Sequence, residues 1–150
     1  MNNRENLITE FISLPAVAFA GVSSNPKRFG AVAYRSLRKK GWTLYPVNPK
    51  MQTFDGEVCY KSISEIPFPV RGVLSMVPAA ETLTIAKECK QRGIEYLWIQ
   101  QQSESIEALD FCNEQQIKVI AHECILMHYP PVTSIHAFHR WLKRIFGRKH

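Results

Sequence analysis

The chain has 150 residues, of which 45% are hydrophobic, 21% charged and 11% aromatic, with 7 Gly, 9 Pro and 4 Cys. That is the make-up of one ordinary globular domain, and it excludes disordered, collagen-like and disulfide-scaffold readings. The formal net charge is +6, yet residues 135–150 hold five Lys/Arg and no acid, so the body before them is nearly neutral with 14 basic and 13 acidic groups.

In chain order, the start MNNRENLITEFISL carries two Glu and no long apolar region, so no secretory signal is expected. No stretch approaches about 18 uncharged apolar residues, so no transmembrane segment is expected and a cytoplasmic location is. Asn3–Ser13 reads as a leading helix and Ala16–Ala20 as the first strand. A helix over Gly30–Lys40 ends at Gly41, a natural residue for a helix stop. Strands are expected at Thr43–Val47, Val70–Val77, Tyr96–Ile99 and Ile117–Ile120. The helix Ala79–Arg92 opens after Pro78 and ends at Gly93. The helix Ser103–Gln115 opens S-E-S-I-E, a capping residue followed by first-turn acids. Strands alternating with helices predict an α/β, Rossmann-like, doubly wound fold, with a mainly parallel five-stranded sheet covered by helices on both faces. Residues 1–134 form that domain. Residues 135–150 add a C-terminal helix, Ile135–Phe146, to the same unit.

Ligands in this architecture sit at the carboxyl ends of the strands. The loop after the first strand runs from Gly21 to Gly30. It offers the hydroxyls of Ser23 and Ser24 and the charges of Lys27 and Arg28, and Gly30 opens the next helix. Backbone N–H groups at that helix start complete a phosphate cradle. Seven basic residues and no acid between Lys27 and Lys50 add to the positive field. The same residues also fit a solvated basic helix after an ordinary loop. The loop is neither G-x-x-x-x-G-K-[ST] nor G-x-G-x-x-G, and Asn25 replaces the last Gly of a nucleophile elbow. No acid follows the second strand until Asp55, so an NAD dehydrogenase is disfavoured, while NADP or another nucleotide in the same cleft stays open.

Gly21-Val-Ser23 with its Lys/Arg-rich loop, followed by Gly41-Trp-x-x-Tyr-Pro-Val-Asn-Pro49, resembles the small CoA-binding proteins. Those are Rossmann-type domains similar to the nucleotide-binding domain of succinyl-CoA synthetase α chains. Val73-Leu-Ser-Met-Val-Pro78, Leu97-Trp-Ile-Gln100 and Lys118-Val-Ile-Ala-His-Glu-Cys124 extend the resemblance over residues 14–127. The resemblance implies that Gly21, Ser23 and the Lys27/Arg28 segment hold the phosphates of coenzyme A or an acyl-CoA. Val47, Asn48 and Pro49 would then border the adenosine, Met76, Val77 and Pro78 line the channel, and Gln100 lie near the pantetheine path. By pattern alone, Val47-Asn48-Pro49 also reads as a strand end stopped by Pro, with Asn as a turn former. Arg71 stands where the family has Asp. Gln102 stands where it has Gly, adding bulk expected to narrow the pocket mouth.

No Cys, His and acid group into a nucleophile and its base, so no catalytic residue is expected. Cys59, Cys89, Cys112 and Cys124 contain no C-x-x-C pair and are expected to be reduced and buried. His122-x-Cys124-x-x-x-His128 resembles part of a zinc site, but Ile125, Leu126 and Met127 between them read as packing, and no metal is expected. His136 and His139 lie three apart on the tail helix. That helix carries Ile135, Phe138, Leu142 and Ile145 on one stripe and Arg140, Lys143 and Arg144 elsewhere. Its apolar stripe suits packing on the domain, a second copy in a homodimer or a protein partner, and its cations suit an anionic membrane surface. With five charges, binding to nucleic acid would be weak and salt-sensitive, which disfavours it. The expected function is non-catalytic binding of coenzyme A or an acyl-CoA as a sensor, carrier or accessory module. An interaction protein acting through the basic tail is a further reading.

Overall fold

Runs of Val, Leu, Ile and aromatic residues alternate with helices along residues 2–131, the part of the chain that the computed structural model describes. The first half comprises α1 (Asn3–Ile12), β1 (Ala16–Ala20), α2 (Phe29–Lys39), β2 (Thr43–Val47), β3 (Thr53–Phe54) and β4 (Glu57–Val58). The second half comprises β5 (Gly72–Ser75), α3 (Ala79–Arg92), β6 (Tyr96–Gln100), α4 (Ile106–Glu114) and β7 (Lys118–Glu123). Five strands form one parallel sheet in the order β2-β1-β5-β6-β7, and β3 and β4 form a separate antiparallel pair. Strand order reverses between β1 and β5, because the chain passes from β2 back across β1 to reach β5. Such a reversal opens a crevice at the carboxyl ends of the two strands.

Both faces of the sheet are covered, as buried parallel strands require. Phe19, Leu44, Leu74 and Trp98 pack on one side with Phe11 of α1 and Tyr34 and Leu37 of α2. Ala20, Val73, Leu97 and Ile99 pack on the other with Ile85 and Cys89 of α3 and Cys112 of α4. Caps explain where the helices stop and start. Asn2 Oδ1 accepts from the N–H of Glu5 at 2.8 Å, and Gly93 takes φ +77° while its N–H reaches the last carbonyls of α3. Among the described residues, no helix is long and apolar enough to cross a membrane.

Several boundaries differ from the sequence expectation. The helix expected from Ser103 begins at Ile106, because the Oγ of Ser105 is the group that accepts from the N–H of Ala108, at 3.2 Å. Ser103 instead closes a turn, its N–H donating to Gln100 O and its carbonyl accepting from Thr82 Oγ1 at 2.6 Å. The third expected strand shrinks from Val70–Val77 to Gly72–Ser75, and β7 extends through a bulge to Glu123. The β3–β4 hairpin was not foreseen, although Asp55-Gly56, at φ +49° and +79°, is a strong turn signal between two short β-type runs. The expected helix Ile135–Phe146, with His136 and His139, lies outside the described residues.

Phe11 is fully buried and meets Trp42 edge-on at 5.9 Å and Trp98 at 5.2 Å between ring centroids. It joins α1 to the middle of the sheet. Phe11→Ala is expected to lower unfolding stability by about 3–5 kcal/mol in urea titration. A loss below about 1 kcal/mol would show that α1 is only loosely attached.

Candidate ligand-binding site

The crevice is built around two glycines. Gly21 ends β1 with φ +108°, and a Cβ placed on it would lie 2.7 Å from the carbonyl carbon of Met76 and 2.9 Å from the nitrogen of Val77. Gly30 sits in the first turn of α2, where a Cβ would lie 2.1 Å from the carbonyl oxygen of Gly21. Neither position has room for a side chain. The helix start, the end of β1 and the segment after β5 therefore meet backbone to backbone. Hydrogen bonds fix this junction: Gly21 N–H donates to Val47 O at 3.3 Å, and Met76 N–H donates to Ala20 O at 2.8 Å.

α2 points its amino end at the crevice. Its N-cap residue, Arg28, supplies no side-chain hydrogen bond, and no acid stands in the first turn. The positive end of the helix dipole is thus left for an anion. The approach loop is held by nested turns: Ser23 Oγ accepts from Asn25 N–H at 3.1 Å, and Asn25 Oδ1 accepts from Lys27 N–H at 3.0 Å. Asn25, which the sequence reading used only to exclude a nucleophile elbow, thereby presents exposed Lys27 and Arg28 beside the helix start. Ser24 is exposed in the same loop.

Asn48 is a brace between strands. Its Nδ2 donates to Val22 O at 2.8 Å and its Oδ1 accepts from Lys50 N–H at 2.8 Å. Its side chain thus ties the end of β2 to the loop after β1 and turns the chain at Pro49. The structure brings together Gly21, Gly30, Val47, Asn48, Met76 and Val77 at one edge of the sheet, with Pro78 leading from it into α3. Gln100 stands apart, at the end of β6 and closed to solvent. Its Oε1 accepts from Ile125 N–H at 3.0 Å, and its Nε2 has no acceptor of good geometry, with the Cys124 thiol as its neighbour.

The continuous basic field expected from Lys27 to Lys50 is broken up. Arg35 makes a two-pronged pair with Asp55 at 2.8 Å on each arm, and Arg38 pairs with Glu57. Both acids come from the β3–β4 hairpin, which folds back along α2. Lys40, at the far end of α2, donates to Tyr129 O at 3.3 Å, and partial burial lowers its pKa. Among the described residues, Lys27 and Arg28 have no acidic partner.

The two departures from the family pattern fall in different places. Arg71 precedes β5, at the amino edge of the sheet, and its guanidinium spans both oxygens of Glu95 at 3.1 Å. It is remote from the crevice. Gln102 follows β6 at the crevice edge, with an exposed side chain and φ +74°, the left-handed backbone that glycine takes most easily. His122 and His128 turn to different carboxylates, Glu104 at 3.1 Å and Glu123 at 3.7 Å, while Cys124 is buried, so the three do not converge. All four thiols are buried. Desolvation pushes each above its ordinary range, Cys112 to about 11, so none is poised as a nucleophile.

Gly30→Ala is expected to lower unfolding stability by about 1–3 kcal/mol, because the new methyl group forces α2 away from β1. Chemical denaturation checks this, and wild-type stability in the variant would contradict the close approach.

Comparison with known proteins identifies the family to which this fold belongs. Residues 15–130 match a family model described as a CoA binding domain. The α subunit of ADP-forming acetate–CoA ligase II from Pyrococcus furiosus is 24% identical over 130 residues, covering 79% of this chain and 28% of that subunit. The chain thus spans little more than a quarter of that relative's length. The uncharacterized protein YneT of Bacillus subtilis is 26% identical over 110 residues, 73% of this chain and 81% of YneT. A conserved hypothetical protein from Pyrococcus furiosus superposes with a TM-score of 0.72 and 32% identity, covering 75% of this chain and 97% of that one. An acetyl-coenzyme A synthetase from Ca. Korarchaeum cryptofilum shares the fold, with a TM-score of 0.67 at 21% identity over 75% of this chain and 27% of that one. With its glycine-built crevice and a family match that takes in every sheet strand, the chain belongs to the CoA binding domain family.

Proposed function

We propose that this chain binds coenzyme A or an acyl-CoA in the crevice between β1 and β5, as a non-catalytic sensor, carrier or accessory module. The observation that carries this reading is the junction of Gly21 and Gly30, which brings an uncapped helix start to the crevice floor. A diphosphate there would accept hydrogen bonds from the first amides of α2 and neutralise the helix dipole. Lys27 and Arg28, unpaired with acids among the described residues, would hold the remaining phosphate charge. Ser23 and Ser24 stand on the same loop. Val47, Asn48 and Pro49 would border the adenosine, with Asn48 acting through the brace it makes. Met76, Val77 and Pro78 would line the path of the pantetheine arm. Gln100, being buried, would support that path from beneath.

The ligase relatives support an accessory role, because a domain of this kind makes up about a quarter of the Pyrococcus subunit. Calorimetric titration with CoA, with NAD and NADP run in parallel, tests the reading. Micromolar binding of CoA, worth about 8 kcal/mol, is expected, with little response to the other two. Lys27→Ala combined with Arg28→Ala is expected to weaken CoA at least tenfold. Unchanged affinity would remove both residues from the site, and tighter binding of NADP than of CoA would overturn the ligand assignment.

A further inference from the structure

Parallel strands joined in sequence are normally linked by an α-helix. The passage from β2 to β5 has none: it runs through the β3–β4 hairpin and one 3-10 turn, Ile63–Glu65. Its carbonyls lack the hydrogen-bond ladder that a helix would supply, so they need partners from elsewhere. Three of them find one side chain. Arg92, the last residue of α3, donates from Nη1 to Ile63 O at 2.6 Å and to Ile66 O at 2.7 Å, and from Nη2 to Phe68 O at 2.6 Å. Glu88, one turn earlier on α3, takes a hydrogen bond from the backbone of Ile63. A planar guanidinium suits this task, since its fixed fork reaches several carbonyls at once.

The clamped segment adjoins the ligand site. Ile63 and Ile66 are buried and belong to the same apolar cluster as Val47. Lys61 N–H donates to Glu65 Oε2 at 3.2 Å, which ties the turn to the residue before it, Tyr60. Tyr60 runs alongside the end of β2: its N–H donates to Pro46 O at 2.9 Å, and its carbonyl accepts from Asn48 N–H at 2.9 Å. Asn48 is thus held from two sides, by Tyr60 at its backbone and by Val22 at its side chain. α3 consequently serves both walls of the crevice. It begins beside Met76–Pro78, and its last residue fastens the segment that braces Val47 and Asn48.

Resting on the reading above, we propose that Arg92 is a positioning residue for the adenosine end of the ligand. It touches no ligand itself. By holding three carbonyls it keeps Tyr60, Ile63 and Ile66 against β2, and so sets Val47 and Asn48 in their binding positions before the ligand arrives. A site held in advance loses less conformational freedom on binding. Lysine keeps the charge but offers a single ammonium without the fork, so Arg92→Lys separates geometry from charge.

The test compares the unaltered protein with Arg92→Lys and with Phe11→Ala, which is destabilised on the opposite face of the sheet. Each is titrated with CoA and with adenosine 3′,5′-bisphosphate, the nucleotide end without the arm. Arg92→Lys is expected to weaken both ligands by a similar factor, about fivefold or more, while Phe11→Ala leaves both within about twofold. In the free protein, hydrogen exchange at the Asn48 N–H is expected to be about tenfold faster in Arg92→Lys than in Phe11→Ala. Equal losses of affinity in the two variants would reduce Arg92 to a stability contact and overturn the proposal. A loss for CoA without one for the bisphosphate would place its effect on the arm and overturn it too. Unchanged exchange at Asn48 would contradict the route through Tyr60. Full affinity in Arg92→Lys would overturn the positioning role while the CoA reading stands. If the unaltered protein binds no CoA, both fall.

Discussion

The first turn of α2 approaches the carbonyl of Gly21 so closely that the gap will not admit one further carbon atom. That contact sets the distance between helix and sheet, and most of the site follows from it. With Gly30 in place, the amides of the helix start lie directly over the end of β1. With Gly21 in place, β1 turns sharply enough for Met76 and Val77 to come alongside. A side chain at either position would separate the layers and leave the helix dipole facing solvent rather than a crevice. The exclusion of side chains is therefore what turns a generic strand–helix unit into an anion-directed one.

Around this junction the remaining polar groups take up positioning roles. Asn48 spans two strand ends with one amide, and Asn25 shapes the loop that carries Lys27 and Arg28. The hairpin acids Asp55 and Glu57 take Arg35 and Arg38 out of the available positive charge. Lys27 and Arg28, at the loop tip beside the helix start, keep no acidic partner among the described residues. Charge count along the chain is thus a poor guide to the field at the site, because partners are chosen by the fold.

The strands and long helices were legible because burial on both faces leaves unbroken apolar runs, and because Gly41 and Gly93 mark helix ends by local chemistry alone. The loop from Gly21 to Gly30 was legible for the same reason, since a strand end, glycines and cations are adjacent in sequence. What was not legible depended on contacts between distant residues. Asn48 and Val22 are 26 positions apart, and Arg35 and Asp55 are 20 apart. Nothing local distinguishes Asn48 as a brace from Asn48 as a turn former; the structure shows that it is both. The resemblance alone put Gln100 near the pantetheine path, and nothing local foretold how its side chain is used. Its side chain is buried, and its Oε1 holds the turn at Ile125, 25 positions away. Arg71 lay close in sequence to the channel residues, but the direction of β5 puts it at the opposite edge of the sheet.

The central claim is that CoA is held at the junction of β1, α2 and the segment after β5. The most direct measurement is the change in backbone amide resonances when CoA is added to isotopically labelled protein. The account predicts the largest shifts at Gly21–Ser24, Phe29–Ala31 and Met76–Ala80, with little change around Arg71, Glu95 and Lys118 at the amino edge. Shifts concentrated at that amino edge, or no shifts at saturating CoA, would contradict it.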